Sequence, residues 1–148
     1  MQIVDESWLS WLSITTLRTI AFRGIDLITE LQRLTVSLRG GFERRKGFLV
    51  FHFTGQLDAY SEKQFITYVV DVLQTNNSSM VLDLSNIDFL DSSGLGALVQ
   101  IAKQCQDSKR SFSIVGNPRV GQTIKLVRLE EFLNLSPDLN TALKQLAN

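Results

Sequence analysis

From Leu34 onward the apolar positions follow two rhythms. Short runs of bunched or alternating apolar residues predict strands, and apolar residues at spacings of three and four predict helices. "LTVSLRGG" predicts a first strand that ends in a Gly-Gly turn. "GFLVFHFTGQL" predicts a second, after the charged turn "ERRK", and the two form an antiparallel hairpin. In "YSEKQFITYVVDVLQTNN", Phe65, Val69, Val72 and Leu73 share a helical face, and Ser61 and Gln64 have the spacing of a capping box. "MVLDL" then reads as a central strand covered on both faces.

Beyond it, Leu95, Leu98, Ala102 and Cys105 mark the buried stripe of another helix, and "RSFSIVG" supplies another strand. Asn117 and Pro118 open a third helix as N-cap and first residue, with Val120, Ile124 and Val127 as its buried stripe. "NLSPDL" fits a short edge strand, and "NTALKQLAN" a terminal helix. Strands separated by amphipathic helices need crossover connections. The expected fold is therefore α/β, a mixed and largely parallel sheet of four to five strands with amphipathic helices, in a domain over residues 33–148.

Residues 1–32 have a different texture, and we expect an apolar helical extension there. Trp8, Leu12, Thr15 and Thr19 share one helical face and Trp11, Ile14 and Leu17 another, so the apolar character runs nearly all round. Such a helix needs a cover: its own domain, a second copy in a homodimer, or a membrane surface. Direct membrane insertion is not expected, because the uncharged run from Ser7 to Leu17 is shorter than the roughly 20 residues of a spanning helix. A signal peptide is not expected either, since Asp5 and Glu6 precede the apolar run.

Composition narrows the function. At 148 residues and 44% hydrophobic content the chain can bury one core. Lys plus Arg and Asp plus Glu number 15 each, so no net field favours nucleic acid. One cysteine, Cys105, and one histidine, His52, leave no intramolecular disulfide and argue against a Cys/His metal site. The expected compartment is reducing, most simply the cytoplasm.

The candidate chemistry sits in "VLDLSNIDFLDSSGLGALVQIAK", where a strand turns into a helix at Asp91, Ser92, Ser93 and Gly94. A serine nucleophile at such a turn would need the Gly-x-Ser-x-Gly pattern and a nearby base. The glycine before the serine is missing, and His52 lies inside a strand, facing solvent or satisfied locally. Gly94 and Gly96 allow close backbone approach, but neither the P-loop spacing nor the three-glycine dinucleotide fingerprint is present, and no cofactor is expected. Asp, Ser and Ser are also the preferred N-cap residues, so a purely structural cap explains them as well. A fourth reading makes one serine a phosphorylation target, since a phosphate is tolerated at a helix N-terminus. With Asp83, Asp88 and Asp91 expected at the same end of the sheet, it would make the patch strongly anionic.

"FTGQLDAYSEKQF" and "VLDLSNIDFLDSSGLGALV", in this order of elements, resemble the STAS domain, specifically the bacterial anti-sigma-factor antagonists. The resemblance covers residues 34 to 148 and is most specific at Asp91-Ser92-Ser93-Gly94-Leu95-Gly96, supported by Gly55-Gln56-Leu57-Asp58 and Asp83-Leu84-Ser85. It implies a non-enzymatic partner switch in transcription regulation. The unphosphorylated protein binds a serine kinase that is itself the anti-sigma factor, phosphorylation of Ser92 releases it, and a metal-dependent serine phosphatase resets the system. Asp58, Asp91, Ser92, Ser93, Gly94, Leu95 and Gly96 form the implied partner-binding surface. Asp91 would position the Ser92 hydroxyl, Ser93 would cap the helix, and the two glycines would keep the surface low for the kinase. STAS domains also serve as accessory subunits of membrane transport systems, which is the alternative; a serine hydrolase is the remaining one. The N-terminal extension is the departure from the simple antagonists.

Overall fold

A computed structural model describes residues 31–148, so the proposed N-terminal helical extension lies almost wholly outside the described residues. The elements run β1 (Gln32–Arg33), β2 (Leu38–Arg45), β3 (Phe48–Leu57), α1 (Glu62–Gln74), β4 (Met80–Leu90), α2 (Ser92–Asp107), β5 (Phe112–Gly116), α3 (Pro118–Leu126), β6 (Leu135–Ser136) and α4 (Leu139–Ala147). They build one mixed sheet with the strands in sequence order. β1, β2 and β3 pair antiparallel, and β3 to β6 pair parallel through helical crossovers. Among the described residues the sheet thus has six strands rather than four or five, the addition being the two-residue β1.

The hairpin differs from expectation at its turn. Gly40 and Gly41 lie inside β2, opposite Phe53 and His52, and "ERR" continues the strand. The reversal falls instead at Lys46 and Gly47, whose φ angles of 53° and 84° are those of a tight hairpin turn. Packing accounts for the glycine at 40: a Cβ there would lie 2.6 Å from Cε1 of Phe53. The Phe53 ring uses that room to sit 4.7 Å, centroid to centroid, from Phe65 of α1.

Two apolar clusters sandwich the sheet. On one face Phe51, Phe53, Leu82, Leu84 and Ile87 pack against α1, α2 and α3 through residues such as Phe65, Val69, Leu98, Ile101 and Ile124. On the other, Val50, Val81 and Val115 are covered by Ala142 and Leu143 of α4. Met80 to Leu84 thus alternate between two covered faces, as expected of a central strand. Two local expectations fail. Ser61 and Gln64 form no capping box, because the Ser61 hydroxyl turns inward and donates to the Gln56 carbonyl at 2.8 Å. Val127 is half exposed, since α3 ends at Leu126 and only Val120 and Ile124 of its stripe are buried.

β4 departs from a regular ladder. His52 pairs with Asp83 but Thr54 with Asn86, and Gly55 pairs with Ile87 but Gln56 with Phe89. At each slip β4 spends one residue more than β3, which is a β-bulge. The two extra residues turn the strand's period from two into three, so Leu84, Ile87 and Leu90 are buried while Phe89 is exposed.

Candidate functional site

The expected switch segment begins where β4 ends. Leu90 pairs with Leu57 at the C-terminal end of β3, and the Asp91 amide donates to the Leu57 carbonyl at 3.4 Å. Asp58 and Asp91 therefore follow neighbouring strand ends and emerge at the same edge of the fold, as the sequence suggests. Asp91 keeps an extended backbone with ψ at −172°, and its carboxylate accepts the Gly94 amide at 2.9 Å. That makes Asp91 the N-cap of α2 and Ser92 its first helical residue. Ser93 does not cap the helix, because an N-cap residue must still be extended and Ser93 is already inside the first turn. Ser92 is exposed, Ser93 half-buried, Leu95 half-buried and packed on the core, and Gly96 exposed.

The two motif glycines do different things. A Cβ on Gly96 would meet nothing within 4 Å, which suits an open surface. Gly94 is buried: a Cβ there would fall on the Leu57 carbonyl oxygen and 2.6 Å from Cδ1 of Leu90. Its hydrogen lets α2 sit directly on the end of β3, so it serves packing and not access for a partner. Gly55 is equally constrained, with φ at +115° and the Ser37 carbonyl where a Cβ would point.

Asp58 also works inward. Its carboxylate accepts the Tyr60 and Ser61 amides at 3.0 and 3.2 Å, and its own amide donates to the Ser61 hydroxyl at 3.0 Å. The Asp58–Ser61 turn is thereby fixed with the side chain of Asp58 buried. What it presents is Tyr60, 88% exposed, and Phe89 on β4 is 48% exposed at the same end. Both aromatics escape a reading of the sequence alone. Tyr60 carries no pattern signal, and Phe89 faces out only because of the bulges in β4.

Asp83 does not join Asp88 and Asp91. Six residues of β4 separate it from Leu90, on the order of 20 Å along an extended strand. Its carboxylate instead takes the Ser85 amide at 3.0 Å, the Ser85 hydroxyl at 2.6 Å and His52 Nδ1 at 2.8 Å. His52 Nε2 lies 2.7 Å from Glu43 Oε2. Burial alone would lower the His52 pKa, but the hydrogen bonds and charges of Asp83 and Glu43 outweigh it and raise the value above the ordinary one. Burial alone would likewise raise the Asp83 pKa, and the bonds from His52 and Ser85 hold it below the carboxylate norm. His52 is thus satisfied locally, between two carboxylates in mid-sheet, and both its ring nitrogens are engaged far from Ser92. The Ser–His pairing of a serine hydrolase is not formed.

Among the described residues no group of His, Cys, Asp and Glu is arranged to hold a metal ion, and no helix is long and apolar enough to cross a membrane. Cys105 is buried, which pushes its thiol up to about 11.

The chain is similar to the anti-sigma-B factor antagonist of Staphylococcus epidermidis, with 24% identity over 83 residues, 55% of this chain and 77% of that protein. Among solved structures, an anti-sigma factor antagonist from Mycobacterium paratuberculosis superposes with a TM-score of 0.70 at 25% identity, covering 76% of this chain and 96% of that one. The murine anion transporter Solute Carrier 26 family member A9 shares the fold at a TM-score of 0.61 and 18% identity, over 69% of this chain but 18% of the transporter. The STAS domain model matches residues 42–142, a span that takes in the second half of β2, all of β3, the strand end at Asp58 and the Asp91–Gly96 turn, and the chain belongs to the STAS domain family.

Proposed function

We propose that this chain is an anti-sigma-factor antagonist acting by partner switching, with Ser92 as the phosphorylated residue. The observation that carries the reading is the division of labour at the start of α2. Asp91 caps the helix, and the next residue, Ser92, stands exposed with no part in the cap. A phosphate on Ser92 then leaves the fold intact, because it meets the positive end of the helix dipole and displaces no internal contact.

What it alters is the surface. A phosphoserine adds roughly −1.5 to −2 charge at neutral pH beside Asp88 and Asp91. Against a partner carboxylate at about 5 Å, each added unit costs on the order of 3 kcal/mol at an effective dielectric near 20. That is enough to weaken binding by about a hundredfold. Tyr60 and Phe89 give the same end of the fold the aromatic, exposed area that partner surfaces favour. The names of the relatives support an anti-sigma factor as the partner class; we take that factor to be a serine kinase, opposed by a metal-dependent serine phosphatase, with both in the cytoplasm.

The test incubates the full chain with native cell extract and ATP and maps the phosphopeptides. In parallel, Ser92→Ala and Ser92→Asp proteins serve as baits. The expected result is phosphate on Ser92 and an ATP-binding serine kinase held by the alanine form alone. Phosphate elsewhere, or one transporter subunit held by both baits, overturns the switch and favours the accessory-subunit reading.

A further inference from the structure

On the sheet face that α4 partly covers, five side chains form a continuous run of hydrogen bonds across β2, β3 and β4. Arg45 Nη2 donates to both carboxylate oxygens of Glu43 at 3.1 and 3.2 Å, Glu43 meets His52 Nε2, His52 Nδ1 meets Asp83, and Asp83 takes both polar hydrogens of Ser85. A neutral imidazole has one N–H and donates to one carboxylate only. Between two ionised carboxylates, both contacts are hydrogen bonds together only when His52 is the imidazolium. Glu43 is 5% exposed, and a buried carboxylate requires such partners.

The far end of this run is the first bulge of β4. Asp83 Oδ1 holds the amide of Ser85, and Asn117, the N-cap of α3, donates to the carbonyls of Ser85 and Ile87 at 3.0 and 2.8 Å. The bulge is thereby pinned from both sides. The pinned bulge sets the register in which β4 enters its second bulge and goes on to Leu90, Asp91 and Ser92, and a slip of one residue would exchange the two faces of the strand.

We propose that His52 is a positioning residue of the switch: held as imidazolium between Glu43 and Asp83, it fixes the β4 bulge through Asp83 and so the placement of Asp91 and Ser92. This rests on the reading of Ser92 as the modified residue. The charged groups facing His52 are Glu43, with Arg45 behind it, on β2 and Asp83 on β4. α4 packs on the same face through Ala142 and Leu143, and its one charged residue, Lys144, is exposed. Since the carboxylates raise the pKa, the proton is held to higher pH than on an ordinary histidine and is lost on the alkaline side.

The chain has one histidine, so its ring Cε1–H is a single, unambiguous resonance. The experiment is a pH titration of the full, isotopically labelled chain between about pH 5 and 9, following that resonance and the Cα signals of Ser85, Asp91, Ser92 and Gly94. The ordinary pKa of histidine falls inside this window, and burial pushes the Cys105 thiol out of it, up to about 11. The expected result is a His52 midpoint above about 6.5, with all four Cα signals moving at the same midpoint and the transition absent in His52→Gln. A midpoint at or below about 6.5 removes the imidazolium clamp. A response at Ser85 with flat signals at Asp91, Ser92 and Gly94 makes His52 a local brace and overturns the proposal. If His52→Gln does not fold, the parent titration alone decides. No kinase enters the measurement, so failure here is separate from a failure to find phosphate on Ser92.

Discussion

Gly94 and Gly96 lie two residues apart on α2, and replacing each by alanine is expected to change stability in opposite directions. At Gly96 the added methyl meets nothing within 4 Å, so Gly96→Ala removes backbone freedom from the unfolded chain at no steric cost. The gain is about 0.5–1 kcal/mol. At Gly94 the methyl falls on the Leu57 carbonyl oxygen and 2.6 Å from Leu90 Cδ1. The leucine can turn aside, but the carbonyl belongs to the strand and also accepts the Asp91 amide, so α2 must lift away from β3. Overpacking of this kind costs about 1–3 kcal/mol, and the rigid partner puts Gly94→Ala toward the upper end. With a urea m-value of about 1–3 kcal/mol/M, a loss near 2 kcal/mol lowers the midpoint by roughly 1 M. Both tryptophans, Trp8 and Trp11, lie in residues 1–30, so far-UV circular dichroism in urea is the proper readout of the sheet and helices. A Gly94→Ala midpoint equal to or above that of the parent, or two variants moving in the same direction, would refute the contact between α2 and the end of β3.

Asp91→Ala is expected to lose about 1 kcal/mol with the cap, while Ser92→Ala stays within about 0.5 kcal/mol of the parent. A larger loss from Ser92→Ala in the same urea series would make that serine structural. Gly55→Ala forces a side chain into φ at +115° against the Ser37 carbonyl, and a drop of more than about 1 kcal/mol is expected in its unfolding free energy. Stability should also depend on pH on two sides. The raised His52 pKa contributes stability that is complete below the unfolded value of about 6.5 and lost as pH rises through the folded one. The lowered Asp83 pKa contributes stability that is present above about 3.9 and lost as pH falls through its folded value. Urea midpoints between about pH 3 and 9 should show both limbs, and an alkaline limb that persists in His52→Gln would show that it has another source.

The order of elements was legible because their periods are clean. Phe65, Val69 and Leu73 on α1, and Leu98, Ala102 and Cys105 on α2, repeat as a helix must, and "MVLDL" is apolar on both sides because both sides are covered. The misread turn has a tertiary cause. Gly40 lies in mid-strand to admit the ring of Phe53, a residue 13 positions away, while the charged "ERR" stays in β2 because Glu43 has Arg45 and His52 to hold it. At the site, the motif located Asp91 to Gly96 but not how its residues divide the work. Which residue caps depends on where the backbone turns helical, and which glycine is indispensable depends on the carbonyl beneath it. Phe89 was hidden because two bulges, invisible in local pattern, turn a strand of period two into one of period three.

The last strand bears on how this molecule behaves in crowded solution. β6 offers the sheet two residues, Leu135 and Ser136, and the chain then meets Pro137, which has no amide hydrogen to give. Asp138 turns at once into α4 by accepting the Thr141 amide. A sheet margin this brief cannot template the growth of a foreign strand beside it, and the proline closes the one direction in which it might be lengthened. On that side, edge-to-edge strand addition is closed as a route to self-association.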